Sequence, residues 1–194
     1  MTDALPDRAA LRSEIRRRRK AQVEALPAAV RNLAFRVLPS PVMAQIPPGA
    51  RIAIYLSVGS EAPTANLIEF LHERGFALCL PRIDESIEGH MDFCAWEPGQ
   101  PLVPGSLRIP QPGPDAPIVE PDVIFTPLVS FDTDLNRMGN GAGYYDRAFA
   151  RLPGRKRIGL AWSSQMVDAL PVQPWDIPLH MIITEQSIIE KVID

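Results

Sequence analysis

Apolar residues recur along the chain in two rhythms. Over residues 7–26, Leu11, Ile15, Val23 and Leu26 fall near one face at 3.6-residue spacing with arginines around the others, which predicts an amphipathic helix. Asp7 is placed to cap its start, and Pro27 begins something new. Residues 28–43 predict a second helix, ended by Pro39 and Pro41. Short β-branched and aromatic runs then take over. RIAIYL (51–56), FALCLP (76–81), HMDFCAW (90–96), DVIFTPLVSF (122–131), RIGLAW (157–162) and LHMIIT (179–184), the last in the chain, each read as a strand. TANLIEFLHERG (64–75) is an amphipathic helix stopped at Gly75, and another helix is expected at about 143–152. Residues 97–121 are so rich in proline and glycine that irregular structure is expected, and QPWD with Pro178 forms a loop before the final strand. The strand–helix–strand order over 51–81 implies a parallel pair with a right-handed crossover. The expected fold is α/β: one domain over residues 1–194, with an open, largely parallel central sheet flanked by helices in three α/β/α layers.

Composition narrows the class. A chain of 194 residues, 46% hydrophobic and 22% charged, buries a sizeable core. Cys79 lies in an apolar run, and neither it nor Cys94 has a CxxC or Cys/His neighbour, so both are expected as reduced core thiols and no zinc site is expected. No run approaches a membrane span and no apolar signal-peptide core opens the chain, so a cytoplasmic monomer is the expectation. A net charge of −3 argues against a nucleic-acid partner. The cations are unevenly spread: Arg8, Arg12, Arg16 to Arg19 and Lys20 face only Glu14 in their segment. Arg16 to Arg19 read as a solvated helix face.

The stretch NRMGNGAGYYDRAF (136–149) concentrates the candidate chemistry. It follows a strand and leads into a helix, where open α/β sheets bind ligands. Gly139, Gly141 and Gly143 let backbone N–H groups approach an anion, and the helix N-terminus adds partial positive charge. Arg137 can donate to phosphate oxygens, Asp146 can hold Mg²⁺ that phosphates also bind, and Tyr144 and Tyr145 offer flat faces and hydroxyls. The spacing is neither the dinucleotide fingerprint nor the P-loop pattern. On these grounds the stretch is an anion or nucleotide site, or simply a glycine turn with tyrosines packed on the sheet.

Taken whole, RMGNGAGYYDR resembles the R-x-G-x-G-x-G-Y-Y-D segment of the 5-formyltetrahydrofolate cyclo-ligase family. Further segments fit in order: Arg8-Ala-Ala-Leu11-Arg12, YLSVGSEAPT with Glu61 and Thr64, Leu80-Pro81-Arg82, Met91 to Phe93, Ile109 to Gly113, Val129 to Asp132, Asp176, and Ile183 to Glu185. The resemblance implies conversion of 5-formyltetrahydrofolate and ATP to 5,10-methenyltetrahydrofolate, ADP and phosphate with Mg²⁺. The formyl oxygen attacks the γ-phosphoryl, N10 attacks the formyl carbon, and phosphate leaves. It further implies that Arg8, Arg12, Arg137, Met138, Gly139, Asn140, Gly141, Ala142, Gly143, Tyr144 and Tyr145 surround ATP. Leu56, Glu61 and the Asn140–Tyr144 stretch would contact the folate, and Asp146 and Asp176 would hold Mg²⁺. The chain departs from the family in four places. Arg8 stands where lysine is usual, Ala142 where some members have lysine, Leu107 where an aromatic can flank the folate, and His180 where aspartate is frequent. Readings from other classes are a non-catalytic nucleotide- or folate-binding regulator on the same scaffold, and a sugar-phosphate isomerase or acyl-transfer enzyme on a similar sheet.

Overall fold

The computed structural model describes residues 7–106 and 109–191. Leu107 therefore lies outside the described residues. The elements in chain order are α1 (Arg8–Ala25), α2 (Ala28–Leu33), α3 (Ser40–Met43), β1 (Arg51–Ala53), α4 (Ala65–Glu73), β2 (Ala77–Asp84), β3 (His90–Ala95), β4 (Leu102–Pro104), β5 (Pro110–Pro112), β6 (Val123–Pro127), β7 (Ser130–Phe131), β8 (Arg137–Met138), α5 (Tyr144–Arg151), β9 (Lys156–Leu160), β10 (Met181–Ile183) and β11 (Ile188–Glu190). A 3₁₀ turn covers Ser163–Gln165.

The central sheet has seven strands in the order β11-β10-β9-β6-β1-β2-β3. Its five middle strands run parallel, and antiparallel β3 and β11 form the edges. Side chains alternate between its faces, as a period of two requires. Ile52, Leu78, Val123, Phe125 and Ile158 face α3 and α4, whereas Ala53, Cys79, Ile124 and Ile182 face α5 through Ala148 and Phe149. That is the expected three-layer arrangement. Both cysteines are free and fully buried, and burial pushes the Cys79 thiol up to about 12.

Four expectations are corrected. The helix over 28–43 is two short helices, because Pro39 disfavours helical backbone just before it and Phe35 takes a left-handed φ of 57°. That turn drives Phe35 into the core, edge-on to Trp162 at 5.2 Å between ring centroids. Part of the proline-rich segment is an antiparallel ribbon, β4–β5, moored to the sheet by Ile83 N–H donating to Gln111 Oε1 at 3.1 Å. The strand expected through residue 131 stops at Pro127, and a small hairpin, β7–β8, follows. Buried Asp132 shapes the hairpin turn, accepting from the N–H groups of Asp134, Asn136 and Leu170 and from Asn136 Nδ2. LHMIIT is not the last strand, since β11 pairs with β10.

Gly159 lies in β9 where the sheet meets Leu128 and Leu179. A Cβ there would come within 2.7 Å of each of those side chains. Gly159→Ala overpacks this point and is expected to destabilise the fold by about 1–3 kcal/mol. Chemical denaturation checks this, and an unchanged midpoint would contradict it.

Candidate active site

The strand order reverses between β1 and β6, and a cavity of about 380 Å³ opens above the carboxyl ends of β1, β2 and β6. Open α/β sheets bind ligands at such switch points. Tyr55, Leu56 and Glu61 wall it from the segment after β1. Ile109 to Gln111 wall it from the ribbon, Gly139 to Gly143 from the loop between β8 and α5, and Tyr144 to Asp146 from the first turn of α5. Arg8 and Arg12 reach in from α1, and Gln173, Trp175 and Asp176 form the rim before β10.

The glycine loop is delivered by β8 and ends at Gly143, which caps α5 with a left-handed φ of 70°. Gly141 also has a positive φ, 109°. These angles strain any residue with a Cβ, so glycine is a requirement of this path. Among the described residues, the backbone N–H groups of Asn140, Gly141, Ala142 and Gly143 have no hydrogen-bond partner. Successive unpaired donors beside a helix N-terminus suit an anion.

Two ion pairs frame this loop. Arg137 Nη2 donates to Asp146 Oδ1 at 2.8 Å, and the Ile177 N–H reaches the same oxygen at 3.2 Å. The Arg137 guanidinium also lies over the rings of Phe149 and Tyr145, at 5.0 and 5.8 Å. Burial lowers the basicity of Arg137, and Asp146 opposes that change. Arg8 Nη1 donates to Asp176 Oδ2 at 2.5 Å and to the Pro171 carbonyl at 2.7 Å. Asp176 Oδ2 also accepts from the Gln173 N–H.

Residues chosen from the sequence largely converge. Arg8, Arg12, Leu56, Glu61, Arg137, Gly139 through Tyr145, Asp146 and Asp176 all border the cavity. Met138 does not. It is buried with Leu11, Ile15, Val129 and Leu170 beneath α1, because residues 137 and 138 point to opposite sides of β8. Arg137 borders the cavity as the buried partner of Asp146.

The arginine run departs from expectation at one position: Arg16, Arg17 and Arg18 are exposed, as a solvated face requires, and Arg19 is not. Arg16 Nη2 donates to Asn140 Oδ1 at 2.7 Å and Arg18 Nη2 to the Met166 carbonyl at 2.7 Å. Arg19 is buried, with Nε donating to Ser60 Oγ at 3.1 Å. Arg12 Nε donates to the Gly139 carbonyl at 2.9 Å. Positions 8, 12, 16 and 19 are spaced four, four and three apart, one helical stripe beside Leu11 and Ile15. That spacing puts them on one side of α1, where Arg19 is buried, Arg8 and Arg12 are half-buried and Arg16 stays exposed. Burial, with Arg8 and Arg16 close by, lowers the Arg12 guanidinium from its ordinary value.

Other side chains stay out of the site. His180 Nδ1 accepts from the Arg157 N–H at 3.0 Å, and burial with nearby Arg157 lowers its basicity. Trp162 is core, its Nε1 donating to the Ser60 carbonyl. Trp175, Gln173 and the ribbon residues went unselected from the sequence, where nothing shows that distant loops converge.

Among the described residues, no group of three or more His, Cys, Asp or Glu side chains is placed to hold a metal. Asp146 and Asp176 offer two carboxylates, and Asp146 Oδ2 has no hydrogen-bond partner among the described residues. Such hard oxygens beside a phosphate-adapted loop fit Mg²⁺, which typically combines one or two carboxylates with substrate phosphates. No described helix is long and apolar enough to cross a membrane.

Sheet, switch-point cavity and unpaired loop donors together define an open α/β protein with a cleft adapted to an anionic small molecule. A family model described as the 5-formyltetrahydrofolate cyclo-ligase family matches residues 4–185. The chain is 36% identical over 145 residues to the 5-formyltetrahydrofolate cyclo-ligase of Escherichia coli K12, covering 72% of this chain and 80% of that one. It is 34% identical over 138 residues to the Haemophilus influenzae protein of the same name, covering 68% and 74%. A 5,10-methenyltetrahydrofolate synthetase structure from Mycoplasma pneumoniae matches with a TM-score of 0.68 at 25% identity, over 93% of this chain and 99% of that one. The Aquifex aeolicus synthetase, at 24% identity with a TM-score of 0.75 over 94% and 92%, shares the fold. The chain belongs to the 5-formyltetrahydrofolate cyclo-ligase family and is an enzyme of that class.

Glu61 provides a pH test. Burial raises its carboxyl pKa, and the Val58 N–H and Arg19 oppose the rise. A raised value means its stabilising contribution is whole below the ordinary 4.5 and is lost as pH rises through the folded value. Glu61→Gln keeps an acceptor for the Val58 N–H, which Glu61 Oε2 meets at 2.9 Å, and removes the buried charge. Urea midpoints are expected to shift in favour of the variant as pH rises from below 4.5 through the raised value of Glu61. A pH-independent difference would contradict this account.

Proposed function

We propose that the protein catalyses the ATP- and Mg²⁺-dependent cyclisation of 5-formyltetrahydrofolate to 5,10-methenyltetrahydrofolate, releasing ADP and phosphate, as a cytoplasmic monomer. The observation that carries this reading is the single cavity shared by Arg8, Arg12, the unpaired N–H groups of the glycine loop, and Asp146 with Asp176.

Phosphoryl transfer asks mainly for in-line positioning and neutralisation of charge. In this reading the N–H groups from Asn140 to Gly143 receive phosphate oxygens, and Arg8 and Arg12 close over them from α1. Asp146 and Asp176 would hold Mg²⁺, which when bound neutralises phosphate charge and fixes the triphosphate. Arg137 orients Asp146 through its 2.8 Å bond. Arg8, now paired with Asp176, would transfer to phosphate as that carboxylate turns to the metal. At the opposite end, Glu61 suits a pterin, whose amino and ring N–H groups need an acceptor. Leu56 and Ile109 supply apolar wall around the formyl group, where excluding water protects the activated intermediate from hydrolysis.

Purified protein mixed with 5-formyltetrahydrofolate, ATP and Mg²⁺ is expected to produce the near-ultraviolet absorbance of the methenyl product. Omitting ATP or Mg²⁺ should abolish the rise. Asp146→Asn, which keeps a neutral partner for Arg137, should lower kcat at least roughly a hundredfold, beyond any fraction unfolded by the lost ion pair as read from a denaturation curve. ATP and folate binding without turnover would favour the regulator reading.

A further inference from the structure

Arg147 takes no part in the cavity wall, although every residue from Gly139 to Asp146 does. It lies behind the loop. Its Nη2 donates to the Ala142 carbonyl, and its Nε donates to the Gly89 carbonyl at 2.9 Å, in the turn between β2 and β3. Two glycines make room for it. A Cβ on Gly89 would come within 2.0 Å of the guanidinium, and one on Gly143 within 3.2 Å. Both glycines also have left-handed φ angles, 69° and 70°. Arg151, one helical turn on, fastens the same hairpin by donating to the Met91 carbonyl at 2.6 Å.

A peptide unit is planar and trans, so its C=O and N–H point in opposite directions. The Ala142 carbonyl is held towards Arg147, on the side away from the cavity. The N–H of the same peptide unit belongs to Gly143 and must point the other way. It is one of the unpaired loop donors and lies at the N-terminus of α5.

We propose that Arg147 is a positioning residue: by clamping the Ala142 carbonyl to the β2–β3 turn, it aims the Gly143 N–H into the cavity as a donor to a phosphate oxygen of the nucleotide. The inference rests on the ATP reading above. Without the clamp the Ala142–Gly143 peptide is free to rotate, because glycine tolerates either orientation. The donor is then lost from the site while the core is untouched. The clamp has two halves, the guanidinium and the missing Cβ of Gly89, so either half can be broken separately.

The test is ATP and inorganic tripolyphosphate binding by calorimetry, with steady-state kinetics, on wild type, Arg147→Ala, Gly89→Ala and the double variant. Arg147→Ala should weaken both phosphate ligands and raise KM for ATP by roughly ten- to a hundredfold, with KM for 5-formyltetrahydrofolate much less affected. Methylguanidinium added to Arg147→Ala should restore part of the affinity. Gly89→Ala should reproduce the defect, and the double variant should be no worse than Arg147→Ala, since both act on one clamp. Equal phosphate affinity in wild type and Arg147→Ala, additive defects, or a uniform loss tracking thermal stability would each overturn the proposal. Wild-type protein that binds neither ATP nor tripolyphosphate would overturn the ATP reading and this inference with it.

Discussion

The site depends on one buried ion pair. Arg137 and Asp146 stand at the two ends of the glycine loop, on β8 and α5, and their bond closes that loop into a ring. A buried guanidinium is costly unless it is paired, and here it has a carboxylate on one side and aromatic faces beneath. The chain between them can follow a glycine path of positive φ because both ends are fixed. The Ile177 N–H on the same carboxylate oxygen ties in the rim that carries Asp176. β8, α5 and the rim before β10 thus meet at one atom, Asp146 Oδ1.

The second organising element is α1. Its stripe of arginines meets the glycine loop, the segment after β1 and the rim before β10. Leu11 and Ile15 seat the helix on Met138 and Val129, so the apolar anchor and the cationic contacts share one face. Like charges so close repel one another, and each has a carbonyl, an amide, a hydroxyl or a carboxylate as a partner, with Arg16 also open to solvent. The arginines that line the cleft are held by Asp176 and a carbonyl at Arg8, by a carbonyl at Arg12 and by Asp146 at Arg137.

Six of the sheet's seven strands were legible in the sequence because they carry short β-branched or aromatic runs, and α4 because its amphipathic period is clean; β11, a half-buried edge strand of three residues, was not. Most cavity residues were named because the loop's composition and a resemblance spanning the chain both pointed to them. The misses have specific causes. Met138 was carried along with its neighbours, although strand alternation turns it away. Arg19 alone leaves the solvated run of Arg16 to Arg19, since charge does not reveal which position is covered. Phe35 broke a helix that local periodicity supported, because burial beside Trp162 outweighs a left-handed φ. The β4–β5 ribbon hid in a proline-rich segment, where the pairing is set by contact with β2.

The chain has three tryptophans, and the fold treats them unequally. Trp96 and Trp162 are 8% and 1% exposed, whereas Trp175 is 67% exposed on the cavity rim. An indole in water emits at longer wavelength than one enclosed in a core and is far more open to collisional quenchers. The protein thus carries a single tryptophan at the mouth of its cleft, spectrally separable from the two inside. Occupancy of the cleft can be followed optically in the unmodified chain, without label or coupled assay.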